Sequence, residues 1–376
     1  MIGFKMYINP LSKYNRFMKK PYIFILLISA VVFVSGCAQA TTVLDAVNKM
    51  KALGAAGYYS DYTTNFKIEG NDKLKSATIE NPSSLGSLGS ITALPTLSFK
   101  ISEAKKGNKE KGVVDLSTLA DALSTVLTRG QPSNFTFPLK SLSIYMDKET
   151  NKTAICLEVS ENNQNQIVCN KGKLDTISKL SPALSSQLSS VEKVSQQGPE
   201  NLLEQFKKLY DKGALKLGPQ SKKTVIGREC DLISYTVSDL SKLETKEMIA
   251  LLGPVGSQLL GLGQIQESQL DQISFIFKQL IKEVKQELCL DVQHGLPLST
   301  FVSTEIDLSA ASNMASSLGL PAQPGAAKIP EGVGLIFRLS TEVTNFKTPI
   351  EDTEFDLPQN AIVQDLDAQA AASTQA

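Results

Sequence analysis

Five cysteines, a single histidine and no tryptophan mark out where this 376-residue sequence could do unusual chemistry. Four of the cysteines, Cys156, Cys169, Cys230 and Cys289, lie well inside the chain. An even number suggests disulfides in an exported protein, and several connectivities are open. The stretch TAICLEVSENNQNQIVCNKGK reads as strand, polar turn, strand. Pairing it about Asn162-Asn163 sets Cys156 opposite Cys169. Opposed Cα atoms in an antiparallel pair lie about 4.5–5.5 Å apart, a span that a disulfide bridges. Elimination then pairs Cys230 with Cys289, both in strand-like segments. Zinc is the rival, but no spacing is C-x-x-C, and the histidine, His294, lies five residues past Cys289.

His294 invites a catalytic role, yet no nucleophile or paired acid stands out beside it. It sits next to Gly295 in an expected turn and reads as a surface histidine. The acids Glu351, Asp352, Glu354 and Asp356 lack an EF-hand spacing and read as solvating a turn. SSLGSLGS lacks the closing Gly-Lys-Ser/Thr of a phosphate loop and reads as a flexible loop. Asn134-Phe135-Thr136 and Asn151-Lys152-Thr153 are glycosylation sequons, of use only in a host that glycosylates exported proteins. Nothing assembles a nucleophile, a base and an oxyanion donor. The sequence therefore reads as a non-enzyme with no metal and no cofactor.

The fifth cysteine has a different setting. Residues 1–36 contain Lys5, Lys13, Arg16, Lys19 and Lys20 and no acid. The apolar run PYIFILLISAVVFV follows, shorter than the roughly 20 residues of a comfortable membrane span and suited to a secretory h-region. It ends Val34-Ser35-Gly36-Cys37, which resembles the lipobox of bacterial lipoproteins, used also by some archaea. The resemblance implies a signal peptide over 1–36, with Met18 as an alternative start. It also implies that a diacylglyceryl thioether forms on Cys37, which becomes the mature N-terminus. A thiolate is the group that takes such a lipid. The alternative is an uncleaved anchor with an incidental cysteine.

The whole chain balances 38 basic against 38 acidic side chains. The expected leader holds five of the basic ones, so the mature 340 residues carry 33 against 38, a net charge of −5. That excludes the basic excess of a nucleic-acid binder.

The elements that would position these residues follow from periodicity. TTVLDAVNKMKAL, 41–53, is spaced as a helix, and Gly54 and Gly57 close it. YYSDYTTNFKIEG alternates, with Tyr58, Tyr62, Phe66 and Ile68 on one side and Asp61, Asn65, Lys67 and Glu69 on the other, as in a half-buried strand. LPTLSFKISEA, SLSIYMDKETNKTAICLEVS and QIVCNKG add strands. A polar helical region is expected over 173–214 and a helical insertion over 240–286. The insertion opens with the apolar MIALLGPVGSQLLGLG. It continues with Leu270, Ile273, Ile276, Phe277, Leu280, Ile281 and Val284 on one face. ELCLDVQHGLPLSTFVSTEIDL is a strand pair, GLIFRLSTEVTNFKTPI a long strand, and 364–376 a disordered tail. Antiparallel strands with inserted helices make an α+β fold.

In order, YYSDYTTNFKI, VIGRECDLISYTV, ELCLDVQHGLPLSTFVST and the closing VTNFKTPIEDTEFDLPQNAIV resemble the LolA-like superfamily. That group includes outer-membrane lipoprotein carriers and receptors. The resemblance implies one domain over 37–363, an incomplete antiparallel β-barrel lidded by the inserted helices around an apolar cavity for acyl chains. The inward face of such a barrel is the cavity wall, so the cavity candidates are Tyr58, Tyr62, Phe66, Leu142, Ile144, Phe337 and Leu339. The same stripe is also what a solid core would need.

Two functions follow. One is a lipoprotein on the extracytoplasmic face of the cell or outer membrane, anchored through Cys37, that holds lipid or acyl chains. The other is an envelope protein or sensor with a solid core that meets a protein partner.

Overall fold

The computed structural model describes residues 37–80, 96–118, 138–161, 164–173, 176–177, 210–244, 275, 278–310 and 329–368. The first helix, α1 (Cys37–Ala56), leads through Gly57 into strand β1 (Tyr58–Gly70). A short helix, α2 (Asp72–Glu80), follows. Five strands come next: β2 (Leu97–Lys106), β3 (Lys109–Asp115), β4 (Leu139–Asp147), β5 (Lys152–Glu161) and β6 (Gln164–Lys173). After them come β7 (Leu215–Leu217), β8 (Ser221–Val225) and β9 (Arg228–Val237). The chain ends with β10 (Ile281–Asp291), β11 (Pro297–Asp307), β12 (Gly334–Lys347) and β13 (Ile362–Asp365).

All thirteen strands form one sheet in the order β13-β6-β5-β4-β3-β2-β1-β12-β11-β10-β9-β7, with β8 also on β9. Every pairing is antiparallel except β13 on β6, which is parallel. Among the described residues the two ends of the sheet do not pair with each other, which leaves it open. The described residues are thus mostly sheet with few helices. Twist makes an open sheet of this width curl.

Register fixes the two faces, because opposed residues in a ladder point the same way. Tyr62 stands opposite Ile101, Ile101 opposite Val114, Val114 opposite Leu142, Leu142 opposite Leu157 and Leu157 opposite Val168. On its other side Tyr62 meets Val343. This row is apolar across seven strands. The reverse face is wet. There Lys67 stands opposite Arg338, Arg338 pairs with Glu69 at 2.7 Å, and Lys285 with Glu283 at 3.0 Å.

The closing acidic segment crosses the wet face as a strap. Lys106 and Lys109 each pair with Asp352 at 2.8 Å, and Lys111 donates to the Glu354 carbonyl at 2.9 Å. The two lysines draw Asp352 down to about 2. Leu357 and Ala361 then pack on Tyr145, Ala154 and the bridged Cys156 and Cys169. Beyond the strap, β13 extends the sheet past β6, and Leu366 turns back onto the apolar face against Leu142 and Ile155.

Three sequence expectations change. Residues 281–286, expected at the end of a helix, are strand. Ile281 and Val284 fit a helical spacing, but Val284, Gln286, Leu288 and Leu290 are buried at the strand period, between β9 and β11. Residues 364–368, expected in a disordered tail, finish β13 and bury Leu366. Lys173, expected to begin a helical region, ends β6. The leader 1–36, residues 178–209, the apolar 248–263 and the tail 369–376 lie outside the described residues.

Candidate functional site

The seven cavity candidates come from three strands and share the apolar face. On β1, Tyr58, Tyr62 and Phe66 alternate with the outward Tyr59, Asp61 and Lys67. Phe66 stands opposite Leu339, and Ile68 opposite Phe337, on β12. Leu142 and Ile144 of β4 stand opposite Leu157 and Ile155. The Phe66 and Phe337 rings lie 6.3 Å apart and tilted, an ordinary aromatic contact.

Their surroundings differ along the face. Tyr58 is 3% exposed, packed by Leu53 of α1, Val225, Leu298, Val343 and the Cys230–Cys289 bridge. Tyr62 packs against the same group. Leu142 packs with Ile155, Ile177 and Leu366, and Phe337 with Leu74, Val333 and Leu335. Phe66, Ile144 and Leu339 are half-buried.

Several polar atoms on this face pair with one another. Tyr58 donates to Glu103 at 2.7 Å, Ser60 to Tyr62 at 2.9 Å, and Tyr235 bonds Gln286. Burial pushes the Glu103 carboxyl above its usual range. The Thr64 and Thr341 hydroxyls lie 3.1 Å apart, and the buried Thr300 Oγ1 has no hydrogen-bond partner among the described residues.

Both cysteine pairs are bridged. Cys156 faces Cys169 across β5 and β6 at a Cα separation of 4.0 Å, and Cys230 joins Cys289 across β9 and β10 at 5.3 Å. Those thiols are therefore not free to hold zinc. Cys37 is the first residue of α1.

His294 is not the free surface histidine that its turn position suggested. Its side chain is 20% exposed, and its Nδ1 lies 3.0 Å from Asp291 Oδ2. Arg228 reaches both, donating to Asp291 at 2.7 Å, and lies 4.7 Å over the Phe346 ring. Burial pushes the Asp291 carboxyl up, but the Arg228 and His294 hydrogen bonds outweigh it and the net shift is downward. Only the tight β10–β11 turn reveals the His–Asp pair, at a spacing of three. Arg228 is far off in sequence and could not be found from spacing. The turn closes under α1: Gly295 adopts φ 71°, and a Cβ there would strike the Ala46 carbonyl.

A depression on the wet face holds about 190 Å³ between Glu283, Lys285, Glu305 and Arg338, around Phe301 and Ile336. It is small for a ligand site, which runs to roughly 300–1,000 Å³. Among the described residues no three His, Cys, Asp or Glu side chains gather as metal ligands. No described helix is long and apolar enough to cross a membrane.

No family model matches the chain, and no curated protein does. Two solved structures are similar over most of its length. LprF from Mycobacterium bovis shares 9% identity at a TM-score of 0.28, covering 83% of this chain and 95% of its own. A DUF1329 family protein from Desulfovibrio piger shares 8% at a TM-score of 0.23, covering 84% and 96%. Overlap this slight transfers nothing about function.

Proposed function

We propose that this protein is an extracytoplasmic lipoprotein, held on a membrane through Cys37, that carries lipid or acyl chains on the apolar face of its sheet. One observation carries this reading. Seven side chains from β1, β4 and β12 share one broad apolar face of an open sheet whose other face is charged. Such a face must be covered by something. The apolar sequence of 248–263 and the helical spacing of 270–280 make these segments candidates for that cover, in line with the LolA-like half-barrel that the sequence resembles. Affinity would arise mainly from apolar area, at about 25 cal/mol per Å² before the costs of binding. The protein is not an enzyme on this reading. Its one histidine is held by an aspartate and an arginine, with no nucleophile in that cluster.

Native mass spectrometry tests it. The full chain, purified in detergent micelles and incubated with a membrane lipid extract, should carry non-covalent lipid masses that denaturation removes. A chain that stays free of such masses would overturn the reading and favour a solid core with a protein partner.

A further inference from the structure

Three threonine hydroxyls form a row across the apolar face. Thr300 of β11 stands opposite Thr341 of β12, and Thr341 opposite Thr64 of β1. Their exposures are 7%, 9% and 0%. The next residues on this face along each strand are Leu298 and Val302, Leu339 and Val343, Tyr62 and Phe66. The row carries no charge and is flanked on both sides by hydrocarbon and aromatic rings.

Its hydrogen bonding is incomplete. Three hydroxyls bring three donor protons. The Thr64–Thr341 contact at 3.1 Å uses one of them. Thr300 Oγ1 meets no partner among the described residues. Buried hydroxyls are nearly always paired, so an unpaired one calls for an explanation. Other polar groups of this face, among them Tyr58 with Glu103, Ser60 with Tyr62 and Tyr235 with Gln286, have found partners within the protein.

We infer that Thr300 is the polar anchor of the binding face and that the ligand it selects is an acyl ester, whose carbonyl oxygen accepts the Thr300 hydroxyl proton. This deepens the lipid-binding reading and rests on it. The row's neighbours along its strands include no cation to balance a buried charge, so it calls for a neutral acceptor. Hydrocarbon on both sides of the row calls for an acceptor with apolar groups on both sides, as an ester linkage has. A fatty-acid carboxylate meets neither condition, being charged and at a chain end.

The test uses the full chain in detergent micelles containing equal amounts of dipalmitoyl phosphatidylcholine and its dihexadecyl ether analogue. The two share headgroup and chain length, differ in mass, and only the diester has carbonyls. The diester adduct should exceed the diether adduct roughly two- to tenfold, the factor that one net hydrogen bond supplies. Thr300→Val should bring the ratio to one without lowering the diether adduct, and Thr300→Ser should keep the preference. Equal adducts on the unaltered chain, or an unchanged ratio in Thr300→Val, would overturn the inference while leaving lipid binding intact. Absence of both adducts would instead overturn the binding reading itself.

Discussion

Tyr58 donates a 2.7 Å hydrogen bond to Glu103, joining the first residue of β1 to a carboxyl that β2 turns onto the apolar face. Burial raises the Glu103 pKa, and the Tyr58 hydrogen bond only partly offsets this. The same burial, with the Glu103 charge beside it, raises the Tyr58 phenol well above its ordinary value.

That arrangement sets a pH dependence. Between the ordinary value of 4.5 and its raised native value, Glu103 binds a proton in the folded state that it has lost in the unfolded state. Stability therefore falls as pH rises through that window and keeps the penalty above it. Glu103→Gln preserves an acceptor for Tyr58 and removes the ionisation. Urea unfolding from pH 4 to 8 should show the variant gaining on the parent as pH rises. Parallel curves would refute the claim.

Phe66 and Leu339 stand opposite each other at a half-buried part of the apolar face. Leu339→Asp puts a charge there, which costs little in water and much against hydrocarbon. Lipid adducts should fall about tenfold or more, with circular dichroism unchanged. Full loading in a folded variant would show that acyl chains do not lie on this face.

The bridges should differ in worth. Cys156–Cys169 spans a sequence separation of 13 and Cys230–Cys289 one of 59. Loop-closure entropy then assigns about 3 kcal/mol to the first and about 4 kcal/mol to the second. Serine pairs at 230/289 should destabilise more than serine pairs at 156/169, by roughly 1 kcal/mol in urea unfolding. The reverse order would mean that native contacts, not loop length, decide.

The parts of the fold that show in the sequence are those set by neighbours along the chain. The alternation of Tyr58, Tyr62 and Phe66 announces β1 and its buried side. The two strand-like runs on either side of the polar ENNQN sequence are enough to put Cys156 against Cys169. Ile281 and Val284 misled because two apolar residues three apart satisfy a helix, while pairing to β9 and β11 decides for strand. Arg228 and His294 meet only because β9 and β10 are neighbours. Thr300 is an ordinary strand threonine until register sets it beside Thr341.

Asp291 anchors the second cluster. Its side chain is 2% exposed, against 22% for its partner Arg228. Asp291→Asn should cost about 2–3 kcal/mol, below the roughly 3–5 kcal/mol of a fully buried pair because water reaches the arginine. The native carboxyl sits below its ordinary value of 3.8. Its contribution is thus complete above that value and lost as pH falls through the lower native one. The gap between parent and variant should narrow below about pH 4. A gap that stays constant on acidification would place the stabilisation elsewhere.

Composition hid the role of the C-terminal residues. Val363 stands opposite Cys169 in the parallel pairing of β13 with β6, and Leu366, 8% exposed, packs on Leu142 and Ile155. The strap crosses the wet face and the residues after it grip the apolar one, so this edge is held from both sides. Leu366→Ala removes the grip on the apolar side and should cost about 2–3 kcal/mol, as for a large-to-small change in a core. Truncation after residue 361 removes β13 as well and bares the β6 edge, an invitation to pair with other chains. The truncated protein should therefore unfold earlier and aggregate, while Leu366→Ala unfolds earlier and stays monomeric in light scattering. If both variants melt with the parent, the edge contributes nothing to the fold.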